Sequence, residues 1–260
     1  MYYIKVWIDI VRKSLGKNLA YRFEFVSKIV RMVFLLAIQV LVIKAIYQNT
    51  NSIAGWDISD YYLLLGVYNL VNYVSWGVFN VNLWRIEEKV LKGEFDFLLL
   101  YPTGSVFAAA FSEFFLDDAI AAVSGLALIT YYFFNNYEIL TVTGIIGGII
   151  AVFAAFIIWF SLHLAVASFN FVSPKNGFMD LLHSLTRTAS VPIDIFSDIT
   201  RYVMFSLFPV AFIAVVPVRI LTGVYSLNFV IFSCLIALLS FMLSVTIWRA
   251  TIKSYTSAGG

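Results

Sequence analysis

The chain has 260 residues, of which 62% are hydrophobic and only 12% charged, with a mean hydropathy of +0.91. A soluble core of this length could not bury so much apolar surface, so the composition belongs to the membrane class. The net charge of +2 gives no reason to expect nucleic acid or a strongly acidic partner, and the lone Cys234 excludes an internal disulfide and any multi-cysteine metal site.

Residues 1–22 do not form a span. Ile4, Trp7, Ile8, Val11 and Leu15 recur at three and four residues, while Lys5, Asp9, Arg12 and Lys13 take the other side. This predicts an amphipathic helix lying in the inner membrane interface. No short apolar run ending in a small-residue cleavage site precedes the first long one, so no signal peptide is expected. Crossing a bilayer core takes about 20 apolar residues per helix. Six stretches qualify, at 29–47, 60–82, 114–134, 143–169, 199–218 and 227–248. The expected fold class is an all-α polytopic membrane protein, with 1–260 as a single transmembrane domain.

Charge orients it. With the N-terminus in the cytoplasm, 15 of the 17 Lys and Arg residues fall on the inner side, leaving Lys44 and Arg219 near outer span ends, where a long stem reaches the interface. The inner bias of positive charge predicts six spans with both termini cytoplasmic.

Polar groups inside the expected spans are the candidates for function. Asn69, Asn72 and Asn80 lie within about 80° of one another on a helical wheel, which suits either interhelical hydrogen bonds or a translocation path. Glu113 and Asp117 stand one turn apart, with Asp118 adjacent, at the inner end of the third span. They read either as interfacial carboxylates paired with Lys or Arg from a neighbouring helix, or as an ion or proton site. His163 in the fourth span suits interhelical hydrogen bonding; with only His183 as a second histidine, no metal site is expected. Gly144 and Gly148 form a small-xxx-small pair for close packing, within the chain or against a second one. Pro209 should kink the fifth span, which is expected to end at Pro217, or break it into a partly re-entrant segment.

Catalytic signatures are missing: the chain has no GxxxxGK[ST] phosphate loop, no HExxH and no GxSxG with a partner histidine. If ATP drives this protein, another polypeptide hydrolyses it.

The inner loop at 84–102 carries the most specific signal. Trp84 to Lys92 can form a short helix with a Glu88–Lys92 pair at i,i+4. Gly93 suits a left-handed stop, Glu94-Phe95-Asp96 a turn, and Tyr101-Pro102 an extended re-entry. The expected product is a charged and aromatic knob under the inner membrane face. The stretch Gly93-Glu94-Phe95-Asp96-Phe97-Leu98-Leu99-Leu100-Tyr101-Pro102 resembles the inner-loop motif of permease subunits of bacterial type-2 ABC transporters. Pro192-Ile193-Asp194-Ile195-Phe196, then Arg201, Phe208-Pro209-Val210-Ala211-Phe212 and Pro217 are also similar to that family. The resemblance implies an exporter permease of the bacterial inner membrane, not itself an enzyme. It also implies a second permease, identical or paralogous, and cytoplasmic ABC ATPase subunits that hold ATP and Mg, with no cofactor in this chain. The docking role would fall on Arg85, Glu87, Glu88, Lys89, Gly93, Glu94, Phe95 and Asp96, and Asn69, Asn72, Asn80, Glu113, Asp117 and His163 are the candidate path. Two other readings stay open: an ion-coupled secondary transporter built on Glu113, Asp117 and Asp118, and a membrane scaffold or binding protein.

Overall fold

The structure, a computed structural model, describes residues 2–20 and 22–256, without the side chains of 17–20, 22, 24 and 25. Lys17 and Arg22 of the expected inner charge cluster, and Met1 and Tyr21 of the expected 1–22 helix, lie outside the described residues or side chains.

An N-terminal helix α1 (Tyr2–Ala20) leads into α2 (Arg22–Ile46). Next comes one long helical run, α3 (Ile58–Ser75), a π-helical turn (Trp76–Asn80) and α4 (Val81–Trp84). Three short helices follow: α5 (Ile86–Leu91), α6 (Phe95–Leu99) and α7 (Ser105–Ala110). The chain then forms α8 (Leu116–Ala121), α9 (Val123–Asn135) and α10 (Val142–Ser168). It closes with α11 (Phe178–Arg187), α12 (Asp198–Ser206), α13 (Val215–Leu221) and α14 (Asn228–Thr251). Four stretches are long and apolar enough to cross a membrane: Val26–Asn49, Leu116–Asn135, Val142–Phe171 and Asn228–Ser254.

The helical run at 58–84 is roughly 40 Å long at 1.5 Å per residue, but it is the most buried of the long helices rather than the most apolar. Leu63, Leu64, Val67 and Val71 are all fully inside, as are Asn69, Asn80 and Asn82. Its neighbours, not lipid, surround it, so it can carry asparagines that a lipid-facing helix could not. One contact is backbone on backbone: a Cβ on Gly125 of α9 would sit 2.5 Å from the Gly66 carbonyl oxygen and the Leu70 nitrogen of α3. The Gly144/Gly148 pair also packs within the chain. A Cβ on Gly148 would lie 2.5 Å from Leu221 Cγ on α13.

Of the two readings of 199–218, a kinked span or a broken, partly re-entrant segment, the chain adopts the broken one. α12 ends at Ser206, a 3-10 turn occupies Val210–Phe212, and α13 begins at Val215. The resulting hairpin has its tip against the Thr188–Ser190 turn. Pro209 sits at the break, as its missing N–H and ring clash require. Pro217 does not end a helix; it is the third residue of α13, where a backbone N–H would have no acceptor within the helix. The segment that runs the length of the bundle is instead 178–195. It starts where Phe178 meets Phe169 edge-on at 5.8 Å, and finishes where Asp194 accepts from Trp56 Nε1 at 2.7 Å.

Two ends of the bundle are thus defined. The turn end gathers the connections at 47–57, 136–141 and 222–227. The loop end gathers residues 85–115, the end of α10 and the chain after α14.

Candidate functional site

The loop end is built around α5, α6 and α7. Gly93 (φ 70°) and Gly104 (φ 80°) adopt left-handed conformations, so the chain can stop α5 and enter α7 without strain. The expected Glu88–Lys92 pair is present at 2.5 Å, and the lysine holds the exposed Glu88 carboxyl below its usual range. The turn expected at 94–96 is instead the start of α6, which folds the knob back on itself.

That fold gives the loop two faces. Ile86, Val90, Phe95 and Leu98 point inward, whereas Arg85, Glu88, Lys92, Glu94, Phe97 and Leu100 are exposed. Glu87, Lys89, Gly93 and Asp96 lie between. Lys89 approaches Ser112 Oγ at 3.5 Å, and partial burial lowers its ammonium pKa.

Phe95 is the main departure from the sequence reading. Its ring is wholly buried among Phe171 (4.8 Å between ring centroids), Tyr255 (5.3 Å) and Trp248 (6.2 Å). It therefore joins the loop to the ends of α10 and α14 and is not presented on the surface. Trp248 Nε1 donates to Ser105 Oγ at 3.0 Å and ties α7 to α14 as well.

A second set of ties joins the loop to the helices before and after it. The Asn82 amide donates to the carbonyls of Glu113 (2.8 Å) and Ala110 (3.0 Å) and accepts from the Ser112 hydroxyl (3.0 Å). The Phe115 N–H donates to Gly77 O at 2.8 Å, using a carbonyl that the π-helical turn offers. Here the chain from Phe111 to Phe115 is irregular, so Glu113 and Asp117 are not successive turns of one helix. Each carboxylate has a basic partner: Glu113 pairs with Arg85 at 3.3 Å and Asp117 with Lys28.

The remaining candidate path residues divide. Asn69 donates to Gln39 of α2 at 3.2 Å, an interhelical bond. Among the described residues, Asn72 Oδ1, both amide atoms of Asn80 and His163 Nε2 are buried without a hydrogen-bond partner. His163 stacks on Trp159 at 5.4 Å and 12°, and its Nδ1 bonds to Trp159 O at 2.9 Å within α10. Among the described residues no group of His, Cys, Asp and Glu could hold a metal ion.

Two features escaped sequence reasoning. The first is a buried clamp at the turn end. Arg219, only 7% exposed, lies 3.7 Å from the Trp56 ring centroid, donates to Gly55 O at 3.2 Å and pairs with Asp194 at 3.4 Å. Asp194 stands in a quoted motif, but no spacing rule links it to Arg219. The second is the polar face of α11. Asp180, Ser184 and Arg187, spaced i, i+4, i+7, are exposed together, while Met179, Leu182 and Thr186 are buried opposite. The 3.6-residue period in 178–187 was available as a signal, but the low hydropathy of the segment concealed its place in the bundle.

This arrangement is a helical membrane domain with a folded, charged loop at one end. A family model described as ABC-2 family transporter protein matches residues 33–259, and the chain belongs to that family. It is therefore a multi-pass membrane component of a transporter, of the permease type that works with ABC ATPase subunits. No curated protein and no solved structure matches it significantly.

Proposed function

We propose that the chain is the permease half of an ATP-driven exporter in a bacterial inner membrane, paired with a second permease and powered by ATPase subunits that carry ATP and Mg. It crosses the membrane six times, with both termini cytoplasmic. The four apolar helices make four crossings, and the buried run 58–84 and the polar segment 178–195 make the other two.

The observation that carries this reading is the loop that occupies residues 85–110. It exposes Arg85, Glu88, Lys92 and Glu94 beside Phe97 and Leu100, a surface suited to a cytoplasmic partner. It is also tied through Asn82 and Phe95 to helices on both sides of it and to α10 and α14. Force applied to such a knob moves several helices together, because packed interiors shift between discrete arrangements rather than stretch. Phe95 acts as the inner anchor of the knob and the exposed residues as its docking face.

The polar face of α11 belongs to the translocation path. An ionised side chain at the centre of a membrane helix costs about 2.5–3.5 kcal/mol even on insertion scales. Arg187, midway along 178–195 on the exposed face it shares with Asp180 and Ser184, therefore favours water or a second permease as neighbour over lipid. An ion-coupled mechanism draws less support, since Glu113 and Asp117 are occupied by Arg85 and Lys28.

The test is reconstitution with the cognate ATPase. Reversing charge at Glu88 and Glu94 together should lower transport-stimulated ATP hydrolysis while the permease still inserts. Full coupling in that variant, or substrate flux from the chain alone in liposomes without ATP, would overturn the assignment.

A further inference from the structure

A cavity of about 530 Å3 opens between α1 and α7, within the range of roughly 300–1,000 Å3 typical of small-ligand sites. Both sides of the gap are pinned. Tyr3 meets Phe107 edge-on at 5.2 Å, Trp7 meets Phe114 at 6.1 Å, and the Phe114 N–H donates to Ser14 Oγ at 3.2 Å. The cavity is thus a framed space and not a loose seam.

Its lining has two chemistries. Val6 and Ile10 of α1, with Phe107 and Phe111 of the opposing wall, are apolar. Asp9, Lys13, Ser112 and Glu113 supply one cationic, two anionic and one hydroxyl group. Asp9 and Lys13 lie one turn apart, yet neither forms an ion pair among the described residues. Ile4 and Ile8, on a neighbouring face of α1, are 64% and 42% exposed. Such apolar side chains beside a charged face place α1 in the membrane interface, so the cavity opens at the depth of lipid headgroups.

An occupant must answer Asp9 and Lys13, since Glu113 already pairs with Arg85. A bare alkyl chain would leave both charges without a partner, and inorganic phosphate would answer Lys13 but offer nothing to Asp9. A headgroup with a quaternary ammonium has no N–H to donate. A primary ammonium has three donors for carboxylates and hydroxyls, and an adjoining phosphate suits Lys13.

We propose that this cavity binds an inner-leaflet phospholipid whose headgroup carries a primary amine, with the phosphate at Lys13, the ammonium at Asp9, and the first acyl carbons along Val6, Ile10 and Phe107. The bound lipid bridges α1 to α7. The proposal rests on the membrane placement of α1 and is independent of what is transported.

Native mass spectrometry of the full chain in detergent, offered phosphatidylethanolamine, phosphatidylcholine or phosphatidylglycerol with matched acyl chains, tests it. Phosphatidylethanolamine should be retained about 10-fold better than the other two, the scale of one lost charge-assisted hydrogen bond. Lys13→Met and Asp9→Asn should each abolish the preference, and Lys13→Arg should keep it. Ile10→Trp, which fills the cavity and leaves every charge in place, should displace the lipid. Equal retention of the three lipids, or a preference unchanged in Lys13→Met, Asp9→Asn and Ile10→Trp, would overturn the proposal. Competition by soluble glycerophosphoethanolamine as strong as that by the lipid would also overturn it. Coupling to the ATPase, measured separately, tests the permease assignment and is not moved by these outcomes.

Discussion

The loop at 85–110 and the segment at 178–221 both interrupt an apolar chain with charge and broken helices, yet they are held in different ways. The loop is fastened at many points: Asn82 to the backbone, Phe95 in an aromatic nest, Trp248 to Ser105. The 178–221 segment is fastened by the Arg219–Asp194–Trp56 clamp and by the wholly buried stretch Val210 to Leu221, yet it leaves the polar face of α11 uncovered. Many ties make an element that transmits displacement. A seated segment with one open polar face makes one suited to line a path. Charge in a membrane sequence therefore has no single meaning; its meaning depends on what holds the backbone around it.

Four substitutions would break or sharpen this contrast. Phe95→Ala should have the largest effect, since emptying a fully buried phenylalanine site costs about 3–5 kcal/mol. Limited proteolysis should then cut the 85–104 region much faster, and ATP hydrolysis should lose its response to substrate. Next comes Arg219→Met, which leaves Asp194 without its buried partner and should cost about 3 kcal/mol in detergent unfolding. Adding Asp194→Asn should restore part of that loss, because the uncompensated charge is gone. Asn82→Leu strips the donor from two carbonyls at the loop end and should lower stability by about 1–3 kcal/mol. Its effect on coupling should exceed that of Arg219→Met, if the loop and not the clamp carries the stroke. The smallest change in stability is expected for Glu88→Gln. The pair with Lys92 is solvent-exposed and such pairs add little, so unfolding should not shift measurably. A fall in ATPase docking by pull-down would then isolate the surface role of this residue from any structural one.

Much of the loop was legible because its determinants are local. Gly93 takes the left-handed conformation, Glu88 reaches Lys92 one turn on, and Ile86 and Val90 share a face, all within a few residues of one another. The direction of Phe95 was not legible, because its partners Phe171, Trp248 and Tyr255 are distant in the chain. The same holds for Gly66 and Gly125, which carry the closest helix crossing but form no spaced pair within either helix. The 199–218 stretch was half legible: Pro209 marked the break, but hydropathy hid that the length of the bundle is covered by 178–195, whose Asp180, Ser184 and Arg187 lower the hydropathy below that of a lipid-facing helix.

Composition alone was enough to assign a helical membrane protein, since transfer of apolar and charged groups depends on residue type and little on neighbours. Local rules were enough to locate a punctuated loop between two helices. Only the tertiary structure decided which polar groups were paired inside, which lay open on α11, and which face of the loop was turned outward. Those outcomes depend on what approaches each side chain across the bundle, and a buried asparagine, a clamped arginine and an inward phenylalanine acquire their roles only from neighbours that the chain supplies from far away.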